Sequence, residues 1–256
     1  MDYDDDTRST AGDEASESSE TESTSGRRTL LFHVHTHFSF DSWMSPELIV
    51  AFARQFKIDM VIVADHDDHR GAERCAELAG EDGPLFPLAA EYKSTSGDMI
   101  AMFLNEPIES RDPIGIIEET HAQGGLVALP HPFKYSNFDN EVFRRADIIE
   151  AFNARTSDRR NAKAVQIAQE LGKPTLAGAD AHLKRELDRA LNEFEVPDDW
   201  DWKRVLTDAS RTARVKKTTV RNIRTSAMIS AVKRQRPLKL VKNIVRWVQA
   251  SSTATP

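Results

Sequence analysis

The stretch Leu31-Phe32-His33-Val34-His35-Thr36-His37, followed by Ser39-Phe40-Asp41-Ser42, decides how the rest of the chain is read. Residues 29–34 form a short apolar run of the kind a buried strand presents. On a strand, side chains two apart share a face, so His33 and His35 are expected to project together from one strand end. Two neutral imidazoles held that way make half a site for zinc, manganese or iron. Taken alone, the pair also fits a core histidine beside a surface one. What stands elsewhere in the chain decides between them.

Six further apolar runs follow, at 60–65, 85–93, 99–104, 126–130, 147–153 and 175–179. Helical patterns separate most of them. Ser45-Pro46-Glu47 supplies a cap and a first-turn proline for a helix reaching about Phe56. Pro113 opens another, which Gly124-Gly125 ends, and Ser157-Asp158 opens a third, closed by Leu171-Gly172-Lys173-Pro174. This alternation predicts parallel β-α units, and seven strands point to a closed β/α barrel with its site at the strands' C-terminal ends. Polar residues collect there. Asp65-His66-Asp67 ends the second run, Glu91 lies in the third, and His131 follows the fifth. Asn153 ends the sixth and Asp180-Ala181-His182 the seventh. Core packing does not account for so many ionisable groups, whereas convergence on metal ions satisfies all of them together.

Composition limits the alternatives. The chain has 256 residues, 39% of them hydrophobic, a net charge of -7 and one cysteine, Cys75, so no internal disulfide forms. No apolar run has the length of a membrane-spanning helix and the first residues lack a signal-peptide core, so a cytoplasmic protein is expected. Residues 1–27, rich in Asp, Glu, Ser and Thr, read as a disordered acidic tail. Residues 28–200 read as the barrel domain and 201–256 as a basic, mainly helical extension. After Asp208 there is no acidic residue and there are twelve basic ones, which leaves -19 on residues 1–208. Near the end, Leu238, Val241, Ile244, Val245 and Val248 recur at helical spacing beside Lys239, Lys242 and Arg246. Such an extension fits packing on the acidic barrel, contact with nucleic-acid phosphates, or an anionic membrane surface.

With these motifs assembled, the chain resembles the polymerase and histidinol phosphatase (PHP) family of metal-dependent phosphoesterases. The matching residues are His33-Val34-His35-Thr36 with Asp41, Ala64-Asp65-His66-Asp67, Glu91, Leu129-Pro130-His131-Pro132 and Gly178-Ala179-Asp180-Ala181-His182, in the family's order. The resemblance implies a distorted seven-stranded β/α barrel holding two or three divalent ions, manganese, zinc or iron. It implies ligation by His33, His35, Asp41, His66, Glu91, His131, Asp180 and His182, with Glu91 as the bridging carboxylate. His33, His35, Glu91, Asp180 and His182 then serve catalysis by activating water through the metal. Three departures stand out. Leu31 replaces the Asp that usually opens the first motif, Phe40 separates Ser39 from Asp41, and a further histidine after the Glu motif is missing. Asp98 stands near that place but reads as a turn residue beside Gly97.

The expected reaction is hydrolysis of a phosphomonoester or phosphodiester by a metal-bridged hydroxide, on a phosphorylated small molecule or nucleotide. Lys134 and Arg155 follow strand ends and are expected to meet phosphate oxygens, and His37, two beyond His35, to line the pocket. His69 and His121 read as surface residues. Two rivals remain at this point. One is a nuclease acting on nucleic-acid ends through the basic extension, the other a non-catalytic, metal-stabilised accessory module.

Overall fold

The computed structural model describes residues 26–196, 200–208 and 211–252; residues 1–25, most of the expected acidic tail, lie outside the described residues. All seven apolar runs fold as strands: β1 (Gly26–Val34), β2 (Met60–Val63), β3 (Ala89–Lys93), β4 (Asp98–Met102), β5 (Leu126–Leu129), β6 (Ile148–Asn153) and β7 (Thr175–Ala181). Between them lie α1 (Pro46–Gln55), α2 (Arg70–Ala79), α3 (Pro113–Ala122), α4 (Asn140–Arg145) and α5 (Asp158–Leu171). Their ends follow local chemistry. Ser45 Oγ accepts from the Leu48 N–H at 3.3 Å and Pro46 fills the first turn of α1. Asp112 caps α3 by accepting from the Gly115 N–H at 3.0 Å. Gly172 ends α5 at φ 61°, a conformation glycine adopts freely.

Two more strands, β8 (Ala190–Val196) and β9 (Arg211–Val215), extend the sheet, with α6 (Trp202–Asp208) between them. They are followed by α7 (Val220–Lys233) and α8 (Pro237–Ser252). The sheet order is β3-β4-β5-β6-β7-β1-β8-β9, and β2 pairs with β1 off this path. The expected closed barrel of seven parallel strands is therefore corrected. Among the described residues the sheet has nine strands and its ladder does not close. Parallel ladders join β5, β6, β7, β1 and β2; of the seven expected strands β4 alone runs the opposite way, pairing antiparallel with β3 and β5, while β8 pairs antiparallel with β1 and β9 with β8. The turn from β3 to β4 spans only 94–97, and a parallel crossover needs a dozen residues or more. Between β2 and β3 there are isolated parallel bridges, Met60–Leu85 and His66–Glu91, in place of a ladder.

The two faces of the sheet are covered differently. Leu30, Phe32, Ile62, Ile100 and Ala128 belong to an inner cluster, closed at one end by Phe194, Val205 and Leu206. Leu31, Val34, Val61 and Val63 pack outward with Ile49 and Ala72 of α1 and α2. Strict alternation along β1 would send His33 outward with Leu31. A register shift between Phe32 and Val34, with His33 at φ 68°, prevents this. The bulge moves the inner row from Leu30 and Phe32 to His33 and His35.

The segment beyond residue 200 joins the body of the protein rather than standing as helices alone. β9 pairs with β8 from Ala190–Val215 to Phe194–Arg211. At α7, Ser226 accepts from Arg155 Nη2 and Asn222 Oδ1 accepts from Arg185 Nε, while α8 reaches α7 through Asn243 Nδ2, which donates to the Ala227 carbonyl at 3.0 Å. No helix among the described residues is long and apolar enough to cross a membrane.

Candidate metal centre

Strand ends and the loops after them bring His33, His35, Asp41, His66, Glu91, His131, Asp180 and His182 to one end of the sheet. Glu91 lies at the centre. Its Oε2 is 3.1 Å from His66 Nδ1, 3.5 Å from His33 Nε2 and 3.6 Å from His35 Nε2, and its Oε1 is 3.1 Å from His131 Nε2. Asp180 Oδ1 stands 3.6 Å from His35 Nε2 and 3.8 Å from His33 Nε2. Asp41 Oδ2 stands 3.1 Å from His182 Nε2 and 3.6 Å from His66 Nε2.

Among the described residues, donor atoms within 4.8 Å of one another form four overlapping groups. An inner group holds His33, His131 and Asp180, all buried. An outer group holds His35, Asp41, His66 and His182, of which Asp41 and His66 are half-buried. Glu91 joins His33 and His35 in a third group, and Asp98 and His131 in a fourth. Asp98 is thus not the turn residue expected from Gly97. It opens β4, across from Lys93 of β3, and Lys93 Nζ donates to it at 2.9 Å.

Neighbouring groups fix how the imidazoles face. Glu150 Oε1 accepts from His33 Nδ1 at 2.9 Å, so His33 Nε2 is turned into the centre. Glu150 Oε2 accepts from the His131 backbone N–H at 2.6 Å and from Asn153 Nδ2 at 2.9 Å. The Asp180 carbonyl accepts from His182 Nδ1 at 2.9 Å, which frees His182 Nε2 towards Asp41. Ser39 Oγ contacts His35 Nδ1 at 3.0 Å and accepts from the His66 N–H at 3.0 Å. Asp65 is not among the donors; it holds Thr36 through the backbone N–H at 2.6 Å. Two glycines make room for these acids. A Cβ at Gly178 would overlap Glu150 Oε1, and one at Gly71 would overlap Asp65 Oδ2.

The field inside this cluster is strong. Burial works to raise the Glu91 pKa, yet His66 and His33 override it and hold the carboxyl well below its usual range. Burial likewise opposes Asp180 and Asp41, which Lys134 and His182 respectively pull down. His33 is held well above its usual value against burial by Glu150, Glu91 and Asp180. His66 rises to about 9 against burial, through Glu91 and then Asp41. His35 falls to about 3 through burial and the neighbouring His182. Even so, several buried polar atoms have no hydrogen-bond partner among the described residues: His33 Nε2, His35 Nε2, both Glu91 oxygens, Asp41 Oδ1 and His131 Nδ1. Native interiors rarely leave such atoms unpaired, and a divalent cation is the partner that suits nitrogen and carboxylate donors together. The residues fit the ions implied by their chemistry.

A cavity of about 430 Å³ opens over the centre, lined by Phe40, Asp41, His66, Glu91, Lys134, Tyr135, Arg155 and Arg234 among others. Lys134 Nζ donates to Asp180 Oδ2 at 3.3 Å from its wall. Arg155 also reaches the wall, but its Nη1 donates to Glu186 at 3.0 Å and its Nη2 to Ser226, so only Nε, 4.0 Å from Asp180, faces the cavity. His37 is exposed, lies against Phe38 and is not part of the lining. Glu150 escaped the sequence reading because it stands inside a strand rather than at its end. A lone acid within Ile148-Ile149-Glu150-Ala151-Phe152 was the available signal.

Comparisons with known proteins bear on the family and the fold. The family described as PHP-associated matches residues 158–209. An uncharacterized protein of Methanocaldococcus jannaschii is 32% identical over 136 residues, 48% of this chain and 80% of that protein. Among solved structures, a two-domain protein of Bacteroides vulgatus containing a predicted PHP-like metal-dependent phosphoesterase superposes with a TM-score of 0.62. It is 17% identical, over 79% of this chain and 69% of that one. Endonuclease Q, in complex with a 27-mer duplex carrying an abasic lesion, superposes with a TM-score of 0.52 at 15% identity, over 81% of this chain and 57% of that one. At such identities the two structural likenesses speak for the fold.

Proposed function

Because the chain belongs to the polymerase and histidinol phosphatase (PHP) family, we propose that it is a metal-dependent phosphoesterase that hydrolyses a phosphomonoester or phosphodiester. In this reading His33, His35, Asp41, His66, Glu91, His131, Asp180 and His182 hold two or three divalent ions, and Asp98 takes the place of the family's missing histidine. Mixed imidazole and carboxylate donors suit manganese, zinc or iron. When bound, such ions polarise a phosphoryl oxygen and bring the pKa of water near neutrality.

The chain's own residues do the rest. Glu91 turns one oxygen to His33, His35 and His66 and the other to His131, so a single carboxylate links neighbouring groups. Glu150 sets the face that His33 presents. Lys134 borders both Asp180 and the cavity, where its ammonium can meet a phosphate oxygen, and Arg155 contributes through Nε alone. The observation that carries the reading is the set of buried, unpartnered donor atoms converging around Glu91.

A second reading, a nuclease working on nucleic-acid ends, is favoured by Lys239, Lys242 and Arg246 exposed along α8. A fold shared with endonuclease Q, solved on a DNA duplex, is compatible with it. The test uses chelator-stripped protein reloaded with manganese, zinc, iron or magnesium. Each form is assayed on a generic phosphomonoester, a mononucleotide and a short single strand. Metal-dependent phosphate release supports the first reading, and salt-sensitive cleavage of the strand supports the second. Bound metal with no release from any substrate overturns both and leaves an accessory module.

A further inference from the structure

The four outer donors differ in how they are supported. His35 and His182 are buried beside the strands, whereas Asp41 and His66 are half-buried on loops. Both loop donors are reached by the C-terminal tip of α7. Lys233 Nζ donates to the carbonyls of His37 and Ser39 at 2.6 Å and of Ser42 at 2.8 Å. An ammonium has three protons, and this one gives all three to the loop that carries Asp41. Its partners are 191 to 196 positions away in the chain. The next residue, Arg234, lays its guanidinium over Phe40, 3.4 Å from the ring centre. Phe40 in turn stacks on the His66 imidazole, with centroids 4.5 Å apart and planes 12° apart.

The tip of α7 is itself held in place. Thr218, just before the helix, donates to Glu186 at 2.5 Å, and Asn222 and Ser226 accept from Arg185 and Arg155. Glu186 also takes the other end of Arg155 and the His182 backbone N–H at 3.1 Å. The helix is therefore docked on the residues that follow β7. Arg234 has no carboxylate partner among the described residues, unlike Lys93, Lys134 and Arg155 on the same cavity wall. Its place is set by the aromatic face it covers.

We infer that the tip of α7 positions the outer donors, Lys233 through the backbone of the Asp41 loop and Arg234 through Phe40 on His66. Occupancy of the group formed by His35, Asp41, His66 and His182 then depends on two residues that touch no ion. The inference rests on the metal-dependent reading above, and it makes residues 220–234 part of the working centre.

The experiment titrates manganese into chelator-stripped, full-length protein and counts bound ions after gel filtration, for the parent chain, Lys233→Met and Arg234→Met. The parent chain is expected to take up two or three ions. Each variant is expected to bind one of them about 10- to 100-fold more weakly, the effect usual for groups that orient ligands, while the others stay within about twofold. Lys233→Cys treated with 2-bromoethylamine, which restores an ammonium at nearly the same reach, should recover the weakened site. Cys75 is buried with its thiol pushed up in pKa, so it is spared. Unchanged uptake by both variants overturns the inference while leaving the phosphoesterase reading intact. Parallel loss of every ion together with a collapsed melting temperature in both also overturns it, because the contacts then only hold the fold. Should Lys233→Met alone fail to fold, the exposed Arg234 decides. No uptake by the parent chain overturns the metal-dependent reading and this inference with it.

Discussion

The inner and outer donors solve one problem by opposite means. His33 and Asp180 are buried within β1 and β7, and His131 is buried just past the end of β5. Glu150 holds two of the three from behind, through the His33 ring and the His131 backbone N–H. Asp41 and His66 stand half-buried on loops, and the bracing comes from a helix nearly two hundred positions later. The inner set gains precision from burial and hydrogen bonding. Asp41, His66 and His182 of the outer set border the cavity, where a substrate must enter, and on our inference the two loop donors hold their geometry only as well as that distant segment stays docked.

The comparison can be broken most severely at the residue both sets share. Glu91→Gln keeps the volume and removes the charge facing His33, His35, His66 and His131. Hydrolysis at saturating manganese is expected to fall by about 10³-fold or more, roughly 4 kcal/mol of lost transition-state stabilisation. A drop of less than tenfold in a steady-state assay would show that neither set works through this carboxylate.

Gly178→Ala should separate the two sets. The added methyl displaces Glu150, releasing His33 Nδ1 and the His131 N–H. The inner ion should bind about 10- to 100-fold more weakly, and urea unfolding should show a loss of ~1–3 kcal/mol from overpacking. Calorimetric titration should find the outer ion unaffected. Equal weakening of both would erase the distinction.

A gentler probe is the metal-free protein across pH. His66 is raised to about 9, so its pairing with Glu91 and Asp41 stabilises the fold fully below the ordinary value of 6.5 and is lost as pH rises through 9. His33 is raised as well and acts in the same direction. Glu91, Asp180 and Asp41 are depressed, so their contribution is full above the ordinary carboxylate range, about 4, and fades on acidification. The melting temperature without metal should therefore peak between these limits and decline from neutral pH towards 10. With manganese the alkaline decline should vanish, because the ion takes the neutral imidazole. Smallest of all, His37→Ala should change kcat/KM by less than about twofold, since this exposed ring lies outside the cavity lining; a rate assay at subsaturating substrate checks it.

Much of this centre was legible because apolar runs ending in His, Asp or Glu mark strand ends, and strand ends meet. What failed did so for physical reasons. Glu193 and Glu195 gave β8 a solvated look, although they face Arg214 and Arg27 across its neighbours. β9 is an exposed Arg-Thr-Ala-Arg-Val edge without the apolar alternation that betrays a strand. Glu150 sat in mid-strand, where a buried acid has meaning only once Gly178 is known to lie opposite. Asp98 looked like turn chemistry because Gly97 precedes it. The reach of Lys233 to His37, Ser39 and Ser42 leaves no periodic trace, since nothing local ties those positions together.

The left-handed backbones of His33, His131 and Asp180, at φ 68°, 29° and 47°, carry a further consequence. Holding three non-glycine residues there costs about 1–3 kcal/mol apiece, and the surrounding sheet meets that demand as the polypeptide folds. Loading the inner seat then calls for proton displacement and little reshaping of the main chain. Stripping and reloading should be reversible cycles on an intact scaffold, with buffer-dependent heats that report ionisation instead of refolding.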